Sequence, residues 1–398
     1  MSDLRRAVDA VLDRVVTGSP GVPGVAAVAT DREGVIYAGA RGERTVGGDV
    51  EFTTDTVCHL YSTTKSIGGT ACLQLVDDGL LDLDAPAREY VSAIGEVQVL
   101  DGFGDDGEPR LRQPVRDITT RQLLTHTAGF AYEAFNETYH RLVKDHGQPD
   151  VSAATWDSIK TPLLFDPGDR WEYGSSIDWA GMVVEGITGR RLGDVLAERV
   201  FEPLGMTSTA FAPTDEMLLR IARVHARSPS DGGLIPMTKL EPMADPELHM
   251  AGHGLYGSAD DYTKFIRMWL NDGRGPGGEQ ILEPETVAMA SRNNLPDGMT
   301  IKPLPAVNPR VTNEVEFFPG MAKTWALTFM VNETEAPTGR SAGSLSWAGL
   351  PNLYYWIDRH RGLGGFWATQ IFPFMDPTSL DGFLAFETAV YDNVRQPG

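Results

Sequence analysis

Leu60-Tyr61-Ser62-Thr63-Thr64-Lys65-Ser66-Ile67-Gly68-Gly69-Thr70-Ala71-Cys72-Leu73-Gln74-Leu75 is the stretch on which the reading of this chain turns. Before it, Thr56-Val57-Cys58-His59-Leu60-Tyr61 is short and strand-like or extended. From 63 to 80 the residues spell a strongly apolar helix, ended by Asp77-Asp78-Gly79. Three residues along a helix make nearly one turn, so Ser62 and Lys65 face the same way. A serine at a helix N-terminus stands in the positive end of the dipole, where a developing oxyanion is stabilised. The lysine can serve as base only if burial lowers its pKa, and the apolar surroundings supply that burial. Taken alone, the four residues 62–65 also describe a cap followed by a surface lysine. The strand before, the buried helix after and two partner motifs downstream favour the chemical reading.

The first partner is Trp171-Glu172-Tyr173-Gly174-Ser175-Ser176, entered through Asp166-Pro167-Gly168. A free phenol titrates near about 10, so Tyr173 needs a neighbouring positive charge to act as base, and Lys65 can provide it. The same tripeptide also fits an aromatic packed at a loop-to-helix junction. The second partner is Ser344-Leu345-Ser346-Trp347-Ala348-Gly349-Leu350, on a late strand. An edge strand beside the nucleophile would offer a backbone N–H, so an oxyanion would lie between the amides of Ser62 and Leu350. Gly349 would let the backbone approach closely. An ordinary strand with a bulge is the other reading.

Working outward, residues 3–16 carry Leu4, Val8, Val11, Leu12 and Val15 at helical spacing. Gly21-Val22-Pro23 ends that helix, and strands are expected at 24–29 and 35–38, joined by the turn Asp31-Arg32-Glu33-Gly34. The tail predicts strands at 324–331, 344–348, 353–357 and 364–370, then a helix over 379–394. Between the ends lie helical segments at 121–127, 177–188, 192–200 and 260–271, the last capped by Ser258. Residues 295–322 are rich in Pro and Asn and read as a long loop or insertion. This order predicts an α/β layer built jointly from 1–84 and 255–398, with 85–254 as a mainly helical second region.

Composition narrows the function classes. A hydrophobic fraction of 41% and a charged fraction of 22% suit a globular protein with a substantial core. The net charge of −21 repels phosphate backbones and anionic lipid heads, so nucleic acid and membrane-surface partners are not expected. No run of about 18 apolar residues occurs, and the first residues hold no apolar signal core, so a cytoplasmic protein is the default. Cys58 and Cys72 are too few for a disulfide framework or a four-ligand zinc site; two buried thiols, or one bridge between them, are the readings left.

The ordered set of Ser-x-x-Lys, Tyr-x-Ser and Trp-x-Gly resembles the serine β-lactamase-like superfamily of class C β-lactamases and DD-peptidases. Within it the chain looks most like the family VIII carboxylesterases and the lovastatin-type acyltransferases. Leu123-Leu124-Thr125-His126-Thr127-Ala128-Gly129, Pro203-Leu204-Gly205-Met206-Thr207-Ser208-Thr209 and Gly254-Leu255-Tyr256-Gly257-Ser258-Ala259-Asp260-Asp261-Tyr262 carry the likeness across nearly the whole chain. Tyr173-Gly174 leading to Asp178-Trp179-Ala180-Gly181 is especially similar to the acyltransferases. The resemblance implies an antiparallel sheet flanked by helices and an acyl-enzyme on Ser62, with protons moved by Lys65 and Tyr173. It calls for a small-molecule ester substrate and no cofactor, and leaves the oligomeric state open.

Two departures shape the expected substrate. Where β-lactamases and DD-peptidases place Lys-Thr-Gly, this chain has Trp347-Ala348-Gly349, an aromatic wall in place of a cation for a substrate carboxylate. Ser175 stands where Tyr-x-Asn supplies a carboxamide. Both favour short- to medium-chain esters over β-lactams, with Trp347, Gly349 and Ser175 as expected substrate contacts. Acyl transfer to an alcohol or amine uses the same residues and is the alternative, ahead of residual β-lactamase or peptidase activity and of a non-catalytic binding protein.

Other motifs carry less. Gly339-Arg340-Ser341-Ala342-Gly343 spells a nucleophile elbow, which needs a strand before and a helix after; a strand follows instead, so a hairpin turn is expected. Lys323-Thr324-Trp325 matches Lys-Thr-Gly in two letters only. His249 and His253 have metal-pair spacing, but flanking glycines and the lack of a nearby carboxylate leave no metal site expected. His126 reads as a hydrogen-bonded structural histidine. Trp171, Trp179, Phe130 and Tyr132 can line an acyl pocket or fill the core.

Overall fold

The computed structural model describes residues 2–394. Helix α1, Ser2–Thr17, runs into strands β1, Gly24–Asp31, and β2, Val35–Gly42. Helix α2, Thr64–Asp77, follows a single 3-10 turn at Tyr61–Thr63, so the helix expected from residue 63 has a tighter first turn and Ser62 sits in it. The chain then passes through short helices and two hairpins (99–103 with 109–112, 225–227 with 234–236) that periodicity did not reveal. Helix α3, Ser176–Thr188, and helix α4, Ala259–Leu270, are the long buried ones. Ser258 caps α4 by accepting from the Asp261 N–H.

The tail supplies β3, Lys323–Trp325; β4, Met330–Asn332; β5, Leu345–Gly349; β6, Leu353–Asp358; β7, Leu363–Ala368; and the closing helix α5, Pro377–Asn393. One antiparallel sheet results, ordered β2-β1-β7-β6-β5-β4-β3, with strands from both chain ends meeting where β1 pairs with β7. The strand expected over 324–331 is in fact two. Thr328 takes a φ of 79° and the Ala326 N–H donates to the Phe329 carbonyl, which turns the chain back on itself. That turn lies on α2, where Gly69 leaves room for the Thr328 side chain. The strand expected over 364–370 ends at Ala368, and Ile371–Phe372 just beyond it pairs in parallel with His225 and Ala226.

Period-two alternation assigns the two faces of the sheet. Tyr355 and Phe366 lie opposite each other and pack on Tyr262 of α4. Tyr354, Trp356 and Trp367 point the other way, onto Phe383, Phe386 and Ser379 of α5. Trp347 pairs with Tyr355, so it stands on the α4 face, the same side as α2 and the turn at Ser62. Among the described residues no helix is long and apolar enough to cross a membrane.

Candidate active site

The Lys65 side chain is completely buried and its amine has three oxygens within hydrogen-bond distance. Ser62 Oγ lies at 3.1 Å, the Tyr132 hydroxyl at 3.0 Å and the Gly252 carbonyl at 2.7 Å. Burial lowers the amine to about 7, with Asp178 pulling in the opposite direction. A lysine with that pKa is half free base near neutrality, the state that can take a proton. The condition set by the sequence is therefore met by desolvation.

Ser62 itself is half-buried, on the edge of a cavity. Tyr61, immediately before it, holds a φ of 45°, the left-handed region that a bulky residue rarely adopts. Its ring stacks on His59 with centroids 3.9 Å apart, and His59 stacks in turn on Tyr256. That aromatic stack fixes the turn carrying Ser62.

Tyr173 is brought to the same point. Its ring centroid is 4.8 Å from Lys65 Nζ, and its hydroxyl accepts from the Trp347 indole N–H at 3.0 Å. Burial raises the phenol well above its ordinary range, while Ser62 and Trp347 favour the ionised form. The resting phenol therefore keeps its proton, whereas burial makes the Lys65 amine readier to lose one. His126 braces this group from behind. It has a φ of 57°, its Nδ1 accepts from the Gly174 N–H at 3.4 Å, and its ring lies 4.8 Å from that of Tyr173. Burial, then Lys65, holds its pKa far below the ordinary value, so it is a neutral, packed imidazole.

The cavity has a volume of about 350 Å³. Ser62, Tyr132, Tyr173 and Leu350 line it, together with Asn308 and Val311 from the long loop. Backbone bonds from Val307 and Asn308 to the Ala134 carbonyl fasten that loop over the site. Two carboxylates, Glu133 and Asp150, stand on the wall, and among the described residues no Lys or Arg does. Burial, then Asp150, pushes the Glu133 carboxyl up to about 7.

The expected substrate contacts fall differently. Trp347 is 5% exposed and stands behind Tyr173, outside the cavity lining. Gly349 is buried, and a Cβ there would collide with the Leu60 carbonyl oxygen, so the glycine lets β5 close on the Ser62 turn. Ser175 is buried at the N-cap of α3, with its hydroxyl unpartnered. Trp171, Trp179 and Phe130 are core; Tyr132 alone of that group reaches both the cavity and Lys65. Periodicity could not single it out, because its partner lies 67 residues away. Asp178 and the Gly252 carbonyl also escaped notice as site groups, for the same reason.

The remaining motifs have structural explanations. Residues 339–343 lie in the connection between β4 and β5, where the Ser341 N–H donates to Asp358 and Arg340 is buried against Glu387 at 3.0 Å. His249 accepts from the Gly193 N–H and stacks on Phe211, while His253 faces Asp178 at 3.7 Å. Lys323-Thr324-Trp325 is the outermost strand. Cys58 and Cys72 are free and buried.

Comparison with known proteins gives the family and the fold. The sequence model of the Beta-lactamase family matches residues 5–389. The chain is 30% identical to monacolin J acid methylbutanoyltransferase from Aspergillus terreus, over 96% of this chain and 95% of that one. It is 32% identical to lovastatin esterase from Penicillium rubens, covering 88% and 89% of the two chains. A mutant of simvastatin synthase from Aspergillus terreus superposes with a TM-score of 0.85 at 29% identity, covering 98% of each chain.

Proposed function

The chain belongs to the beta-lactamase family, and from that premise we propose that it hydrolyses carboxylic esters through an acyl group carried on Ser62. The observation that carries this reading is the buried Lys65 amine at 3.1 Å from a serine hydroxyl on the wall of a cavity. As free base, Lys65 takes the Ser62 proton while Oγ attacks the ester carbonyl. The amides of Ser62 and Leu350 receive the oxyanion. Tyr173, protonated at rest, hands its proton to the departing alkoxide, and the Lys65 ammonium beside it compensates the phenolate left behind. That phenolate then takes a proton from the water that attacks the acyl carbonyl, and Lys65 returns its proton to Ser62 Oγ as the acid departs. Both carriers return to their starting states.

The preferred substrate in this reading is a neutral ester of short to medium chain. The cavity wall offers no cation to hold a carboxylate, and lovastatin esterase is among the relatives. A second reading, transfer of the acyl group to an alcohol, rests on the likeness to a methylbutanoyltransferase over 96% of the chain. Product analysis separates them. With a p-nitrophenyl ester and added alcohol, a hydrolase yields the acid throughout, whereas a transferase yields mainly the new ester. Absence of both products across acyl chain lengths would defeat the proposal.

A further inference from the structure

Behind Lys65 stands a charged group to which the proposed reaction gives no role. Asp178 is 1% exposed and occupies the first turn of α3, where the positive end of the dipole favours a carboxylate. Its Oδ1 accepts the Gly252 N–H at 2.7 Å, and the Gly252 carbonyl accepts from Lys65 at 2.7 Å. Gly252 is gripped from both sides. No side chain fits there, since a Cβ would stand 2.7 Å from Asp178 Oδ2 and 2.8 Å from Oδ1. Asp178 Oδ2 has no hydrogen-bond partner. Burial, then the Asp178 charge, keeps the Tyr132 phenol protonated, and that phenol receives a bond from Lys65.

The directions of these bonds determine where the Lys65 lone pair points. A carbonyl only accepts, so one amine N–H belongs to Gly252. A phenol can donate or accept, and here its oxygen accepts a second amine N–H at 3.0 Å. A neutral amine has two N–H groups and one lone pair. With Gly252 and Tyr132 taking the N–H groups, the lone pair faces the third neighbour, Ser62 Oγ. We propose that Asp178 is a positioning residue that, by holding Gly252 while Tyr132 takes the other amine N–H, aims the Lys65 electron pair at the Ser62 proton. The step it serves breaks the Ser62 O–H bond, forms an N–H bond on Lys65 and joins Oγ to the substrate carbonyl carbon. The inference rests on the reading of Ser62 as nucleophile.

A charge effect accompanies the geometry. Lys65 is faced by Ser62, Tyr132, Tyr173, His126, His253 and Asp178. Both histidines are held below their ordinary pKa by burial, so Asp178 is the anion that favours the ammonium. Removing its charge lowers the Lys65 pKa and frees the amine at lower pH, while the lone pair loses its aim. A merely structural aspartate would not produce that combination.

The test is a pH series of ester turnover by the full chain carrying Asp178→Asn, repeated in a Glu133→Gln background because Glu133 titrates in the same window. The expected result is a plateau kcat lower by about tenfold or more, with the acid limb of kcat/KM moved down by about half a pH unit or more. A folded variant whose limb stays put or moves up would overturn the inference. Should Asp178→Asn not fold, Tyr132→Phe decides: a kcat loss of about tenfold at little-changed KM is expected, and a wild-type kcat overturns it. Phosphonate labelling in the same variants separates the two levels. A label on Ser62 with a wild-type pH profile defeats this inference alone, whereas a label elsewhere removes the underlying reading too.

Discussion

The Trp347 indole N–H donates to the Tyr173 hydroxyl across 3.0 Å, joining β5 to the loop before α3 over 174 residues of sequence. The bond occupies one acceptor site on the phenol and leaves its own proton available to the cavity. Where the resemblance places Lys-Thr-Gly, this chain offers an indole donor to the phenol proposed as proton carrier.

Trp347→Phe keeps the ring and removes the donor. Losing a bond of about 1 kcal/mol that matters in the transition state should lower kcat about five- to tenfold, with KM near the wild-type value. Steady-state kinetics on one p-nitrophenyl ester measures this. An unchanged kcat would leave the indole as packing only.

The Lys65 amine sets the pH dependence. Below about pH 7 it is an ammonium with no lone pair, so kcat/KM should fall about tenfold per pH unit on the acid side and level off above its pKa of about 7. Glu133, pushed up to about 7 as well, is the other group in that range. In Glu133→Gln the midpoint should remain near 7. If it disappears, the limb belongs to the carboxyl and Lys65 is not the titrating base.

Local signals in the sequence went further for the frame than for the site's interior. Ser62 and Lys65 were legible because helical spacing alone puts them together, and desolvation of Lys65 followed from the apolar helix around it. Strands were expected at 353–357 and 364–370, and the structure shows both buried throughout. Tyr132 was legible only as an aromatic of the pocket or core, and Asp178 and the Gly252 carbonyl were not legible as site groups, since their places around Lys65 come from folding and not from spacing. Trp347 was found for its place on the strand, yet its contact with Tyr173 depends on which way the strand faces. The break in 324–331 was hidden because Thr328 is a good strand residue whose positive φ is imposed by the packing against α2.

Gly349 tests the closeness of β5 to the nucleophile turn. A Cβ at this position would collide with the Leu60 carbonyl and crowd Leu353. Gly349→Ala should cost about 1–3 kcal/mol of stability through overpacking, read as a lower melting temperature. It should also depress kcat, because Leu350 is carried away from Ser62. A variant with wild-type melting and turnover would show that the approach is not needed.

The most direct measurement is the site of covalent capture. The full chain is treated with a phosphonate ester that mimics the tetrahedral intermediate, digested, and its peptides are sequenced by mass spectrometry. The account predicts one adduct, on Ser62, formed more slowly in Tyr173→Phe by about a hundredfold or more and absent in Ser62→Ala. An adduct on any other residue, or full ester turnover by Ser62→Ala, would contradict it.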